Sequence, residues 1–282
     1  MRISRTLVGC ALVLGLLGAA PGTATAAPAP APAPASAAAA GPAGPICWFG
    51  ACFDYVTGRQ NTDAAGASIR MLQSAPAVKP GDTSSHSLQE LAVQSADQKS
   101  TVEIGWTVDL GLNGDTRPHL FVYHWVDGQE SCYNGCGFVQ VSRTVRPGTA
   151  LARGEAGSFA IDNLGGDWWV FYDGTAVGYF PGSLWNGGYT RAQMISAFGE
   201  VAHADGSTCE GMGDGRFGTA PGAGWISGFR LFDSADAPQL TVTATSPALY
   251  DAGAVTATSF HLGGPGSGPG LPGARLRGGA RW

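Results

Sequence analysis

The stretch Thr-Val-Glu-Ile-Gly-Trp-Thr-Val-Asp, residues 101–109, decides the fold class and points to the site. In a β-strand, alternate side chains point to opposite faces. One predicted face is apolar and carries Val102, Ile104, Trp106 and Val108. The other carries Thr101, Glu103, Gly105 and Thr107. The pattern predicts a strand with one face in the core. Its other face presents a carboxylate across the sheet, beside open space left by the glycine.

The rest of the chain repeats this β character. Of 282 residues, 44 are glycine and only 13% are charged, and short Val-, Thr- and aromatic-rich runs are separated by turn residues. We predict an all-β protein, an antiparallel β-sandwich. The predicted strands cover 67–73, 101–109, 120–125, 137–142, 195–202, 225–232 and 239–246, with an aromatic hairpin around Asp173-Gly174. Strands 101–109 and 120–125 are expected to pair. Residues 86–94 fit a strand or a short helix, and 183–194 a helical turn.

The N-terminal residues predict export. Residues 1–26 read as a secretory signal, with early arginines, an apolar run and the small-residue cleavage site Ala24-Thr25-Ala26. A lipoprotein motif at Cys10 is less favoured because most of the apolar run follows it. Residues 27–46 form an Ala/Pro-rich spacer, 47–266 the folded domain and 267–282 a disordered tail. No later segment is long and apolar enough for a membrane helix. We expect a secreted, extracellular protein without membrane contact after signal cleavage.

Composition also limits the partners. The net charge of −5 gives no reason to expect a nucleic-acid partner. The sequence has no Gly-x-Ser-x-Gly elbow, no His-Glu-x-x-His helix, no phosphate-binding loop and no calcium loop. We expect no metal and no cofactor, and a monomer.

Five cysteines remain after signal removal, and an exported protein is expected to pair most of them. The short spacings predict two small loops, closed by Cys47–Cys52 and Cys132–Cys136. Zinc binding is the alternative, but neither pair has the Cys-x2-Cys spacing and the histidines are scattered. Cys209 is left over. It is either free or paired with Cys47 or Cys52.

Two glutamates, Glu103 and Glu200, lie in strand-like runs next to a glycine. A carboxylate in such a position is costly unless it is solvated in a cleft or hydrogen-bonded. Two facing carboxylates can divide acid and base duties, because their proximity raises the pKa of one. Solvated glutamates on an outer face are the alternative. The aromatic residues of 165–185 exceed what one small core needs, so some are expected to line a groove and others to fill the core.

Several motifs in order resemble the neprosin family of secreted glutamic endopeptidases. They are Thr101-Val-Glu-Ile-Gly-Trp-Thr-Val-Asp, Cys132-Tyr-Asn-Gly-Cys-Gly-Phe-Val-Gln140, Asp167-Trp-Trp, Gly178-Tyr-Phe-Pro-Gly-Ser-Leu-Trp185, Phe198-Gly-Glu-Val201, Met212-Gly-Asp-Gly215 and Phe260-His-Leu-Gly-Gly-Pro-Gly266. The resemblance covers about residues 67–266. It implies a β-sandwich whose concave face binds an extended peptide, with cleavage after proline under acidic conditions.

The resemblance also implies site residues. The family's catalytic glutamates fall on Glu103 and Glu200, one activating a water and the other, protonated, binding the carbonyl oxygen and protonating the leaving nitrogen. The spacing does not assign which is base. Trp106, Tyr179 and Trp185 are candidates for a proline pocket, with core packing as the alternative for each. The sequence departs from the resemblance in two ways: only the spacer stands where plant members carry a prodomain, and no cysteine follows Cys209.

Two other functions are compatible with the residues. The first is a non-catalytic sandwich that binds glycan or peptide through its aromatic stretch. The second is glycoside hydrolysis by the two glutamates, for which the separation of the carboxyl groups would indicate the stereochemical course.

Overall fold

The computed structural model describes residues 44–48, 50–203 and 209–267. The predicted signal, almost the whole Ala/Pro spacer and nearly all of the predicted tail lie outside these residues. Within the described part, no helix is long and apolar enough to cross a membrane.

The described chain forms sixteen strands and two helical turns of four residues each. The strands are β1 (Ile46–Trp48), β2 (Ala51–Ala64), β3 (Gly66–Leu72), β4 (His86–Gln94), β5 (Thr101–Asp109), β6 (His119–Val126), β7 (Gln129–Glu130), β8 (Val139–Gln140), β9 (Ala156–Leu164), β10 (Asp167–Tyr172), β11 (Thr175–Phe180), β12 (Ala192–His203), β13 (Gly224–Phe232), β14 (Thr241–Ala244), β15 (Asp251–Gly253) and β16 (Phe260–Gly263). The helical turns are α1 (Leu110–Asn113) and a 3-10 turn at Gly182–Trp185.

These strands build two eight-stranded antiparallel sheets. The groove sheet has the order β1-β2-β12-β4-β5-β6-β7, with β14 also paired to β2. The back sheet has the order β15-β16-β13-β3-β9-β10-β11-β8. The sheets curl around a common interior as an antiparallel sandwich, which confirms the predicted fold class.

The core lies between the inner faces of the two sheets. Ile104 and Trp106 of β5 belong to the same apolar cluster as Phe159 of β9 and Trp168 of β10. Trp106 is fully buried, and its indole N–H donates a hydrogen bond of 3.0 Å to the Leu72 carbonyl oxygen of β3. The apolar face of residues 101–109 therefore joins the two sheets, as the alternation predicts.

Several predicted elements are confirmed. Residues 101–109 form one strand, paired with β6 as expected, and 86–94 is a strand rather than a helix. Asp173 and Gly174, both with positive φ, turn the chain between β10 and β11. Such a two-residue turn matches the twist of a hairpin.

Other elements differ from the prediction. The run 137–142 shortens to the two-residue strand β8. The fourteen-residue β2 and the nine-residue β9 were not predicted. Both contain many small or polar residues and acquire strand structure by pairing on both sides, so their sequences show little apolar alternation.

Candidate active site

Three carboxyl groups line the outer face of the groove sheet. Glu103 stands on β5 and Glu200 on β12, while Glu90 stands on β4, the strand between them. In the register, Glu103 is opposite Ala92 and Glu200 is opposite Leu88. Glu90 is halfway between these two β4 positions, so it is a diagonal neighbour of both other glutamates. Three adjacent strands thus present a diagonal row of carboxyl groups.

The row lies in a groove of about 720 Å³. Its walls form a second apolar cluster, separate from the core, made of Leu88, Phe121 and Tyr123 with Trp125, Tyr133 and Phe198 packed against them. The outer face of the sheet is therefore an aromatic-lined cleft with acids at its floor.

A disulfide-closed loop supplies one wall of the groove. Tyr133 lies between Cys132 and Cys136, which are bonded to each other. The loop is attached to β6, because the Asn134 backbone N–H donates to the Val122 carbonyl at 3.0 Å, and the Val122 N–H donates to the Asn134 side chain at 3.2 Å. The Tyr133 ring contacts Tyr123 with a centroid distance of 4.9 Å. This anchoring fixes the ring above the groove floor.

Glu200 is held by a histidine and a tyrosine. His86 Nε2 donates a hydrogen bond of 2.9 Å to Glu200 Oε1, and the other ring nitrogen is 4.0 Å from Asp109. Tyr55 is directly opposite Glu200 across β2 and β12 and also hydrogen-bonds to it. Burial alone would lower the pKa of His86, but the hydrogen bond and negative charge of Glu200 outweigh it and raise that pKa. The geometry favours an imidazolium–carboxylate pair.

Glu103 is in a different environment. Burial raises its pKa to about 8, the negative charge of Glu200 adds to the effect, and a hydrogen bond from Trp125 opposes it. That bond runs from the indole N–H to Glu103 Oε1 at 3.0 Å. Glu103 therefore holds its proton more tightly than a solvated glutamate does.

Glu90 is the most deeply buried of the three, with 3% of its surface exposed. Burial, reinforced by the charges of Glu103 and Glu200, raises its pKa well above the usual range. Glu90 was not among the predicted site residues. The signal was present in the hairpin register: with 86–94 as a strand folded back on 101–109, Glu90 is opposite Gly105 and shares the face of Glu103.

Gly105 and Gly199, the glycines near the two predicted catalytic glutamates, are each required by a different close contact. A Cβ at Gly105 would overlap the Gln89 carbonyl oxygen and lie 2.7 Å from Glu90 Cβ. The prediction of open space beside Gly105 is therefore wrong, because the backbone of β4 occupies that space. A Cβ at Gly199 would instead overlap the Leu262 side chain on the core face.

The three aromatic residues predicted for a proline pocket do not line the groove. Trp106 faces the core, because it alternates with Gly105 and Glu103 along β5. Trp185 is 6% exposed in the same core cluster, where its indole N–H donates to the Trp125 carbonyl oxygen at 2.9 Å. Tyr179 lies on the back sheet, stacked on Trp169. Trp106 and Trp185 pack in the core, which was the alternative given for each of them.

Both predicted disulfides, Cys47–Cys52 and Cys132–Cys136, are present, and Cys209 is a free thiol. Among the described residues, no three His, Cys, Asp or Glu side chains are arranged to hold a metal ion.

A second titratable cluster lies on the core side of the groove sheet. His203 bridges two buried carboxyl groups, with Nε2 at 3.1 Å from Asp54 Oδ2 and Nδ1 at 3.0 Å from Glu210 Oε2. Burial opposes the imidazolium, but hydrogen bonds and charge from Asp54 and Glu210 outweigh it and raise the His203 pKa to about 9. The Thr245 hydroxyl donates to Asp54, and the Tyr250 ring stacks on His203. All three of these titratable side chains are buried.

The chain matches the family model Neprosin over residues 83–265. This range includes Glu90, Glu103 and Glu200. The chain therefore belongs to the neprosin family, and this membership supports a glutamic peptidase as the class of protein.

Solved structures with a similar chain trace share little sequence. A scytalido-glutamic peptidase with a transition state analog inhibitor matches with a TM-score of 0.47 and 10% identity, covering 74% of this chain and 97% of that one. CG-16, a homodimeric agglutinin from chicken liver, matches with a TM-score of 0.32 and 11% identity, covering 52% and 92%. The carbohydrate-binding module CBM66 from Bacillus subtilis gives 0.29 and 9%, covering 54% and 78%. The family assignment depends on the Neprosin match alone.

Proposed function

We propose that this protein is a secreted glutamic endopeptidase that hydrolyses peptide bonds on the carboxyl side of proline, with Glu103 and Glu200 as its catalytic pair. The observation that carries the proposal is the contrast between the two glutamates on one groove floor. Glu200 has an imidazolium partner, whereas burial and the charge of Glu200 raise the pKa of Glu103 to about 8. Acid–base catalysis needs this division into one charged and one neutral carboxyl.

We propose a role for each glutamate, which the spacing left open, from its surroundings. Glu200 is the base: it removes a proton from a water as the water oxygen attacks the scissile carbonyl carbon. Glu103 is the acid: it donates a hydrogen bond to the carbonyl oxygen and then transfers its proton to the leaving nitrogen as the C–N bond breaks. Glu200 ends the cycle protonated and Glu103 ionised, and exchange of protons with solvent restores both.

The groove also suits the proposed substrate. An extended peptide lying across the strands would pass over the acids and between aromatic side chains. Tyr55, Tyr133 and Phe198 line this path, and their rings can pack against a pyrrolidine ring. We propose these rings as the proline contacts, in place of Trp106, Tyr179 and Trp185. Secretion is consistent with the two disulfides, because such bonds persist in oxidising compartments.

The test is hydrolysis of a quenched fluorescent peptide with a single proline, assayed from acidic to neutral pH, with the cleaved bond identified by mass spectrometry. We expect cleavage after proline, and a fall in kcat/KM of roughly 100-fold or more in Glu103→Gln and in Glu200→Gln. Glu155→Gln, at an exposed position on the opposite side of the sandwich, is the matched control.

Wild-type activity in either groove variant would disprove the catalytic pair. Cleavage at other residues would remove the proline preference but leave the peptidase assignment. Peptide or glycan binding without any turnover would favour a non-catalytic binding module. The aromatic walls of the groove would also suit that function.

A further inference from the structure

Glu90 is a buried acid that the two-glutamate mechanism does not use. It is 3% exposed and lines the groove, and the charged groups that act on it are two other acids, Glu103 and Glu200. Burying a carboxyl among other acids is unfavourable. An apolar side chain at residue 90 could be buried at a lower free-energy cost. The presence of a glutamate there therefore needs an explanation.

The backbone around Glu90 is shaped to bring it close to Glu103. Glu90 pairs directly with Gly105, and a methyl group at Gly105 would lie 2.7 Å from Glu90 Cβ and 2.8 Å from its Cα. Only a glycine at that position allows β4 and β5 to approach so closely. The Glu-x-Gly-Trp motif thus supplies both Glu103 and the space that Glu90 needs.

The other groups facing Glu90 favour its neutral form. Glu103 faces it from β5 and Glu200 from β12, while Tyr55 of β2 and Tyr133 of the disulfide loop are close enough to feel its charge. His86, the imidazole in the row, is bonded to Glu200. No cation is therefore placed to offset a negative charge on Glu90 among the described groups that act on it. A neutral carboxylic acid carries an O–H donor, which a ligand in the groove can accept.

We propose that Glu90 is a third functional carboxyl of the groove: a neutral side chain that donates a hydrogen bond to a carbonyl oxygen of the bound peptide, between Glu103 and Glu200. This inference rests on the proposed peptidase function. Glu90 lines the groove, so a bound peptide can supply an acceptor for this donor. A donor already fixed in a low-dielectric site can stabilise charge that develops on the carbonyl oxygen.

The test compares Glu90→Gln with Glu90→Leu. Glutamine keeps a neutral hydrogen-bond donor of the same shape, so we expect kcat/KM to stay within about fivefold of wild type. Leucine removes the donor, and we expect kcat to fall by roughly 100-fold, the size of effect seen when one oxyanion-binding donor is lost. Neither variant should lower the midpoint of thermal unfolding, because each removes a buried acid between two others. Glu155→Leu is the matched control at an exposed site.

Two activity results would overturn the inference. If Glu90→Leu keeps wild-type kcat/KM, Glu90 has no role in turnover, although the catalytic pair stands. If glutamine and leucine reduce kcat equally, the site needs a titrating carboxyl at this position rather than a neutral donor.

A measurement without turnover separates this inference from the proposed function. In protein labelled with 13C at the glutamate Cδ, the resonance that disappears in Glu90→Gln should show a neutral carboxyl at pH 6. It should also shift when a proline-containing peptide is added to Glu200→Gln protein. An ionised Glu90 at pH 6 would disprove the inference even if wild type is an active peptidase. A wild type that cleaves no peptide would disprove the function, while the resonance would still report the state of Glu90.

Discussion

At the scale of single residues, the site depends on the different surroundings of its three carboxyl groups. His86 is the only imidazole among the groove-lining residues, and it is bonded to Glu200. Its other ring nitrogen faces Asp109, the residue that ends β5 and whose side chain accepts a hydrogen bond from Leu112 to begin α1. The end of β5 therefore helps to orient the histidine.

We predict that His86→Gln changes the pH dependence of the reaction. His86 has a raised pKa, so it is charged in the acid range where the peptidase is expected to work. Removing this positive charge from beside a catalytic carboxyl should move the acid limb of the kcat/KM profile to higher pH. His261→Gln on the back sheet is the control. An unchanged acid limb would contradict this role of His86.

The sequence predicted the two outer members of the row but not the middle one. Glu103 and Glu200 are each marked by a nearby glycine and by the family motifs, whereas Glu90 lies in a run that fits a strand or a helix equally well. The aromatic candidates were wrong as groove residues for a related reason. Trp106 shares the motif with Glu103, but it is three residues away and so on the opposite face of the strand.

At the scale of elements, β4 determines the geometry of the site. It pairs with β12 on one side and β5 on the other, so it joins two strands that are far apart in the sequence. The two motif glycines make room for different neighbours. Gly105 accommodates the β4 backbone, while Gly199 accommodates the end of the Leu262 side chain from the back sheet.

We predict that Gly105→Ala is more harmful than Gly199→Ala. The methyl group at residue 105 meets a backbone carbonyl, which can move only if β4 and β5 separate. At residue 199 it meets a flexible side chain that can change rotamer. We expect Gly105→Ala to reduce the free energy of unfolding by about 1 to 3 kcal/mol and to reduce peptidase activity, with a smaller loss for Gly199→Ala. Urea unfolding of both variants would test this order, and an equal or reversed order would contradict it.

The strands themselves were predictable where their sequences alternate, as in β5, and where a turn marks a hairpin, as at Asp173-Gly174. β2 and β9 were not, since partners on both sides hold their many small and polar residues in strand structure. Pairing between strands that are distant in the sequence was also not predictable. The pairing of β12 with β4 joins distant segments, and no local pattern in either strand specifies the other.

At the scale of the whole molecule, the charged cluster of His203 links folding to pH. The His203 pKa is raised to about 9 from an ordinary value of 6.5, so the folded state binds the proton more tightly than the unfolded chain. The stabilisation is complete below about pH 6.5 and is lost as the pH rises through 9. The burial of Glu103 acts in the same direction, because its pKa is raised to about 8 and the folded state loses stability as the pH rises towards that value.

We predict that His203→Gln is strongly destabilising at neutral pH. It leaves Asp54 and Glu210 buried without their cation, which should cost about 3 to 5 kcal/mol. The variant should also lack the wild-type loss of stability between pH 6.5 and 9 that this residue contributes. Denaturant unfolding at pH 5, 7 and 9 would measure both effects. Equal losses at pH 7 and pH 9 would contradict a charged His203.

The fold class was predictable at this scale because composition and alternation both favour a sandwich. The cluster was not, because Asp54, His203 and Glu210 come from separate segments and none belongs to a motif. Their burial follows from the packing of β2 against β12 and from the position of the segment that carries Glu210.

The alternation within β4, β5 and β12 has a consequence for how such a protein can change over evolutionary time. Each of these strands directs alternate side chains between the sheets and into the groove, so the two sets can vary separately. Substitutions at groove positions such as Ser196 or Thr101 can alter which peptides fit while leaving the packed interior intact. Directed evolution confined to the outward positions of these strands is therefore a route to new cleavage specificities on the same scaffold.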